Sequence, residues 1–195
     1  MTFRILTVCT GNVCRSPTAE LLLEHELGEL GFVEISSAGT GALVDHGIPE
    51  PGLRLLGSDG LDGTAHRARQ LTPSIVRDAD LVLAMSREHR KAIVEMTPAA
   101  TRRTFTIREL ARVAEFVGAA GDALTEAGGT PEDRMRAAVL LAAVQRGLAP
   151  QPEDPAESDV IDPYRRSDEA YAESFDQIRP AATTIAKYLT SAARS

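Results

Sequence analysis

The chain has 195 residues, 43% of them hydrophobic, and a formal net charge of −7. That is enough apolar material for one domain with its own core, and an acidic balance without a basic run argues against non-specific nucleic-acid binding. There is no Trp to stack bases, and no apolar run approaches the roughly 20 residues of a membrane span. Its two cysteines share one short stretch, which makes neither a disulfide framework nor a cysteine-rich zinc site. No basic region followed by an apolar core opens the sequence, so the expected compartment is the cytoplasm.

In chain order, Phe3 to Val8 is β-branched and apolar, as a buried parallel strand should be. Residues 17–30 form the first helix, with Ser16 as N-cap, Pro17 at the first helical position and Glu20 supplying acid to the first turn. Residues 32–36 read as a second strand, followed by a glycine-containing loop to Gly47 and a short helix from Pro49. Thr72-Pro73 starts another helix. Asp80 to Met85 is the third strand, and Ser86 caps a helix that runs to about Met96. Residues 103–107 form a fourth strand and 108–116 a helix.

Residues 115–158, roughly, differ in character from what precedes them: a glycine-rich stretch, a helix and a proline-rich connector. Gly118 to Gly129 is small and flexible. Thr130-Pro131-Glu132-Asp133 is a strong helix start, and Met135, Ala138, Val139 and Ala142 follow at helical spacing. An acidic, proline-rich connector leads on, and Ser167 to Ala192 is the last helix, with Phe175, Ile178, Ile185 and Leu189 on its apolar side. Alternating strands and helices predict an α/β fold: a three-layer α/β/α sandwich on a four-stranded parallel sheet. Residues 1–195 are expected to form a single domain carrying that segment, with a phosphate-binding loop after the first strand.

That loop is Cys9-Thr10-Gly11-Asn12-Val13-Cys14-Arg15-Ser16. It places a thiol, backbone N–H groups and an arginine at the positive end of a helix, where oxyanions bind. Such settings favour the thiolate, which is poised to attack phosphorus. Arg15 offers a planar fork for two phosphate oxygens. Gly11 permits close backbone approach, Asn12 tolerates a left-handed backbone and braces the loop, and the Ser16 hydroxyl can donate to the sulfur.

Read with Asp162-Pro163-Tyr164, this loop resembles the low-molecular-weight protein tyrosine phosphatases. Ser36 to Thr40, His66 to Leu71 and Asp80 to Met85 extend the resemblance, which is greatest to the bacterial branch acting with tyrosine kinases in capsule and exopolysaccharide export. Residues 115–158 fall outside the family pattern that the rest of the chain resembles, and so read as an insertion in it. It implies hydrolysis of phosphotyrosine through a phosphocysteine, without cofactor or metal. Catalysis would fall to Cys9, Arg15 and Asp162, with Asp162 as general acid and then base. Phosphate would be held by Thr10, Gly11, Asn12, Val13, Cys14 and Ser16. Ser37 and His66 would support Asn12 from behind, and Leu43 and Tyr164 would form opposite rims. Partners would be tyrosine-phosphorylated proteins, including a bacterial tyrosine kinase.

Cys14 reads either as a small apolar residue under the loop or as a redox partner of Cys9. His25, His46 and His89 have no partners evident in sequence and are expected at the surface. Arg165 stands where many family members carry a second aromatic. Two competing readings are an arsenate reductase of the same fold, which would need more cysteines, and a silent anion-binding module that recruits partners through the insertion.

Overall fold

A computed structural model describes residues 2–118 and 129–194. Strand β1 (Phe3–Cys9) is buried at every residue but Arg4. It pairs in parallel with β2 (Val33–Gly39) on one side and β3 (Leu81–Ala84) on the other, and β3 pairs with β4 (Thr104–Thr106). The four-stranded order is β2-β1-β3-β4. A central strand paired on both edges has both faces covered, which is why its sequence is an apolar run rather than an alternation.

Successive side chains still part to opposite faces. Phe3, Ile5 and Cys9 join Leu81, Leu83 and Phe105 in one core. That core is closed by α1 (Arg15–Leu27), α5 (Ile107–Val117), α6 (Pro131–Gln145) and the long α7 (Asp168–Arg194). Leu6, Val8, Val82 and Ala84 face the other way, onto Leu71, Val76, Ile93 and Ala100. These come from α3 (Pro73–Asp78), α4 (Arg87–Met96) and neighbouring segments. The result is the three-layer α/β/α sandwich that the alternation predicts. Each fully buried Leu, Ile or Phe in these layers contributes about 1.5–3 kcal/mol. The short α2 (Glu50–Ser58) packs against α7.

Several boundaries differ from the sequence reading. Helix α1 begins at Arg15, with Cys14 rather than Ser16 at its N-cap position and no side-chain cap. Ser16 is a helical residue whose hydroxyl is taken up by the thiol of Cys9 and the amide of Asn12. No acid lies in that first turn, because Glu20 comes later and receives the Ser37 hydroxyl instead. The helix proper stops at Leu27, and a short 3-10 turn carries on to Leu30, ended by Gly31 at φ +70°. Strand β2 runs three residues beyond its expected end, since Ala38 and Gly39 stay in register with Val8 and Cys9. A Cβ on Gly39 would stand 2.4 Å from the Thr10 carbonyl oxygen, so only glycine lets β2 run this close to the phosphate-binding loop.

In the insertion, the flexible stretch expected over 118–129 lies almost wholly outside the described residues. Helix α6 starts where its signature places it, with a reciprocal capping box between Thr130 and Asp133. Met135, Ala138, Val139 and Ala142 are buried, and the Tyr188 hydroxyl on α7 donates to the Ala138 carbonyl at 2.8 Å. Leu140 and Val144 face outward and are exposed. Pro180 lies inside α7 without ending it.

Candidate active site

The carboxyl end of β1 delivers Cys9 to the sheet edge, where the chain turns through residues 10–14 into α1. Cys9 is buried. Its Sγ receives the Asn12 backbone N–H at 3.3 Å and lies 3.0 Å from the Ser16 hydroxyl. Ser16 Oγ already accepts from Asn12 Nδ2 at 3.0 Å, so its single hydrogen is free to point at the sulfur. The Asn12 N–H and the Ser16 hydroxyl thus converge on the one sulfur.

Asn12 holds the loop in shape. Its backbone is left-handed, φ +54°, a conformation asparagine tolerates and most residues resist. The side chain is fully buried and fully used. Nδ2 donates to Ser16 Oγ and, at 2.7 Å, to Ser37 Oγ, while Oδ1 accepts the Arg69 backbone N–H at 2.8 Å. Ser37 in turn donates to the Glu20 carboxylate. Burial raises the Glu20 pKa, opposed by that hydrogen bond and by the Arg69 charge. His66 Nε2 donates to the Asn12 carbonyl at 2.7 Å, and burial holds the His66 pKa below its ordinary value. Asn12, Ser37 and His66 are thus joined in one network, and Glu20 is the member that sequence reasoning assigned elsewhere.

Arg15 is buried at 6% exposure. Nη1 donates to the Val160 carbonyl at 3.2 Å, and Nη2 meets Asp162 Oδ2 at 2.8 Å. Its Nε–H is buried and has no partner among the described residues. Asp162, from the segment before α7, also accepts the Tyr164 backbone N–H at 3.2 Å. Cys9, Thr10, Gly11, Val13, Cys14, Arg15, Gly41, Leu43, Asp162 and Tyr164 line a single cleft of about 140 Å³. Val13 and Leu43 supply apolar wall, and the Tyr164 ring is partly exposed at 37%. The Arg165 guanidinium lies over that ring, 5.2 Å from its centroid.

Cys14 lies under the loop with Val13, Ala68 and Tyr171. Its thiol is 3.5 Å from the Tyr171 hydroxyl, and burial pushes its pKa up to about 11. A larger departure from expectation is His89. It is buried rather than at the surface, with Nε2 2.8 Å from Thr10 Oγ1 and Nδ1 2.8 Å from Ser86 Oγ. Burial holds its pKa down to about 4, with the nearby Arg15 charge acting in the same direction. A Ser capping a helix three residues before a histidine is the only local trace of this contact. His25 and His46 are exposed, as expected.

Chemically, the cleft offers the Cys9 sulfur, the Arg15 guanidinium with a buried N–H unpaired among the described residues, and the Asp162 carboxylate paired with that guanidinium. Comparisons with known proteins place the chain in a family. Residues 4–121 match the family model described as low molecular weight phosphotyrosine protein phosphatase. The "Probable low molecular weight protein-tyrosine-phosphatase EpsP" of Ralstonia nicotianae is 40% identical over 106 residues, 54% of this chain and 71% of that protein. A protein-arginine-phosphatase of Geobacillus stearothermophilus is 39% identical over 138 residues, 71% of this chain and 87% of the relative. The tyrosine phosphatase Wzb of Escherichia coli K30, solved with sulphate, superposes at a TM-score of 0.66 with 29% identity, over 97% of this chain and 99% of that one. The chain belongs to the low molecular weight phosphotyrosine protein phosphatase family.

Proposed function

We propose that this chain is a protein tyrosine phosphatase that works through a phosphocysteine. The Cys9 thiolate attacks phosphorus and the P–O bond to the aryl oxygen breaks. Asp162, as the acid, gives that oxygen its proton. Water then attacks the phosphocysteine, Asp162 as carboxylate takes its proton, and the Cys9 thiolate departs with the Ser16 hydroxyl donating to it. Arg15 holds the phosphoryl oxygens throughout, and the loop from Thr10 to Cys14 cradles them. The observation that carries this reading is the buried Arg15 Nε–H, without a partner among the described residues, on a side chain that lines the same cleft as Cys9 and Asp162. An oxyanion there would satisfy it, and a buried donor left unpaired costs about 1–3 kcal/mol.

Substrate choice follows from the walls. Val13 and Leu43 are apolar, and Tyr164 presents a ring at the mouth. These suit an aromatic ring. The similarity to an arginine phosphatase supports a second reading, phosphoarginine. Its extra N–H groups would need acceptors, and among the described residues Asp162 is the one carboxylate lining the cleft. The test is kcat/KM on two peptides of one sequence, bearing phosphotyrosine or phosphoarginine. This reading expects the phosphotyrosine peptide to lead by about tenfold or more. The opposite ratio hands the site to phosphoarginine. Under the first reading the substrates are tyrosine-phosphorylated proteins of the cytoplasm. The resemblance to the exopolysaccharide-export branch supports a bacterial tyrosine kinase among them. The insertion at 115–158 is a further part of one phosphatase domain.

A further inference from the structure

Between the end of β3 and the first turn of α4 lies a short stretch, Met85 to His89, that touches both halves of the site. On one side, His89 bonds Thr10 in the phosphate-binding loop. On the other, Arg87 grips Asp159, three residues before Asp162. The Asp159 carboxylate accepts the Arg87 backbone N–H at 2.7 Å, and both its oxygens accept from the guanidinium, at 3.1, 3.1 and 2.8 Å. The next residue is tied as well, since Val160 N–H donates to the Met85 carbonyl at 2.8 Å. Arg108 Nη1 donates to the Asp159 carbonyl at 3.1 Å, and Ile161 N–H donates to Gln177 Oε1 at 2.9 Å. Residues 159, 160 and 161 are therefore each fastened to a distant part of the fold, while Asp162 meets Arg15, the Tyr164 backbone N–H and, through its carbonyl, Arg166 Nη1 at 3.2 Å.

We infer that Arg87 and Asp159 are positioning residues, a latch through which the first turn of α4 sets the register of Asp162 against the phosphate-binding loop. A bidentate guanidinium–carboxylate pair fixes angle as well as distance, which a lone charge contact does not. Proton delivery needs that, because small misplacements of a catalytic group cost large factors in rate. The inference rests on the reading of Asp162 as general acid.

The test compares wild type with Arg87→Ala and Asp159→Asn, each alone and combined with Asp162→Ala. Arg87 is half-exposed, so its loss leaves the core intact. Two aryl phosphates are used, one with a good leaving group and one with a poor one, with inorganic phosphate as a competitive inhibitor. Exchange of the Val160 and Ile161 amides is followed on the same proteins.

The latch predicts a fall of about tenfold or more on the poor leaving group, and a much smaller one on the good leaving group. It predicts an unchanged phosphate inhibition constant, no further loss when Asp162→Ala is already present, and faster exchange at both amides. Equal losses on both substrates, additive losses with Asp162→Ala, or unchanged exchange would overturn it. If Asp162→Ala alone shows no leaving-group dependence, the general-acid reading fails, and amide exchange still decides whether the latch holds the loop.

Discussion

Asp162 Oδ2 lies 2.8 Å from Arg15 Nη2, an ion pair in which the arginine is buried and the carboxylate is half exposed. The group proposed to deliver the proton thus shares a guanidinium with the site proposed to hold the phosphate. Removing it should have two separate effects. Asp162→Ala lowers kcat by about 10²-fold or more on poor leaving groups and far less on good ones. It also frees Arg15 Nη2, so inorganic phosphate inhibits a few-fold better, a small gain because the pair is partly solvated. Steady-state kinetics across a series of aryl phosphates checks both. A uniform loss across the series contradicts the acid role.

Asn12→Ala strips one backbone and two hydroxyl partners at once: Arg69 N–H, Ser16 Oγ and Ser37 Oγ. It also places alanine at φ +54°. Stability falls on the order of 2 kcal/mol or more, read as a lower urea midpoint, and kcat/KM falls with it. Ser37→Ala, which leaves Asn12 Oδ1 paired, costs less.

His89 gives the fold a pH dependence of known sign. Folded, it stays neutral down to about pH 4, whereas an unfolded histidine takes up its proton near 6.5. Between those values the unfolded chain binds more protons, so its contribution is whole above about 6.5 and is lost as pH falls towards 4. The loss is on the order of 3 kcal/mol at most. His66, shifted the same way, adds to it. Urea midpoints at about pH 7.5 and about pH 5 should differ less in His89→Gln than in wild type.

How much of this was legible beforehand depends on how local each signal is. Strand β1 and the Cys9–Ser16 loop are contiguous, and each residue choice agrees with the next, so the sheet, its layers and the loop's place could be read directly. His89 could not. Its neighbours Arg87, Glu88 and Arg90 are polar, and Thr10, its hydrogen-bond partner in the phosphate-binding loop, lies 79 positions away in the chain. The Arg87–Asp159 pair spans 72 positions and leaves no periodic trace. Ser16 has the residue type of an N-cap, but the competing demand of the Cys9 sulfur takes its hydroxyl, and the helix starts earlier. The extension of β2 to Gly39 is likewise set by β1, not by its own propensity.

Cys14 carries a pH-dependent redox prediction. Peroxide converts the Cys9 thiolate to a sulfenic acid. Cys14 as thiolate can then attack that sulfur and expel hydroxide, forming a disulfide. With its pKa at about 11, Cys14 is a slow partner near neutrality, and bridging accelerates as pH rises. Peptide mapping after brief peroxide treatment should find the Cys9–Cys14 bridge in wild type and overoxidised Cys9 in Cys14→Ser. Overoxidised Cys9 alone in both would set the redox role aside.

The central claim is tested most directly by catching the covalent intermediate. Asp162→Ala also removes the base for the second step, so during turnover of an aryl phosphate the enzyme should accumulate one phosphoryl group. Quenched in neutral denaturant and mapped by mass spectrometry, that group should sit on Cys9, and Cys9→Ser should show no turnover while still binding phosphate. An unmodified Cys9 during steady turnover, or a phosphoryl group on another residue, would contradict the account.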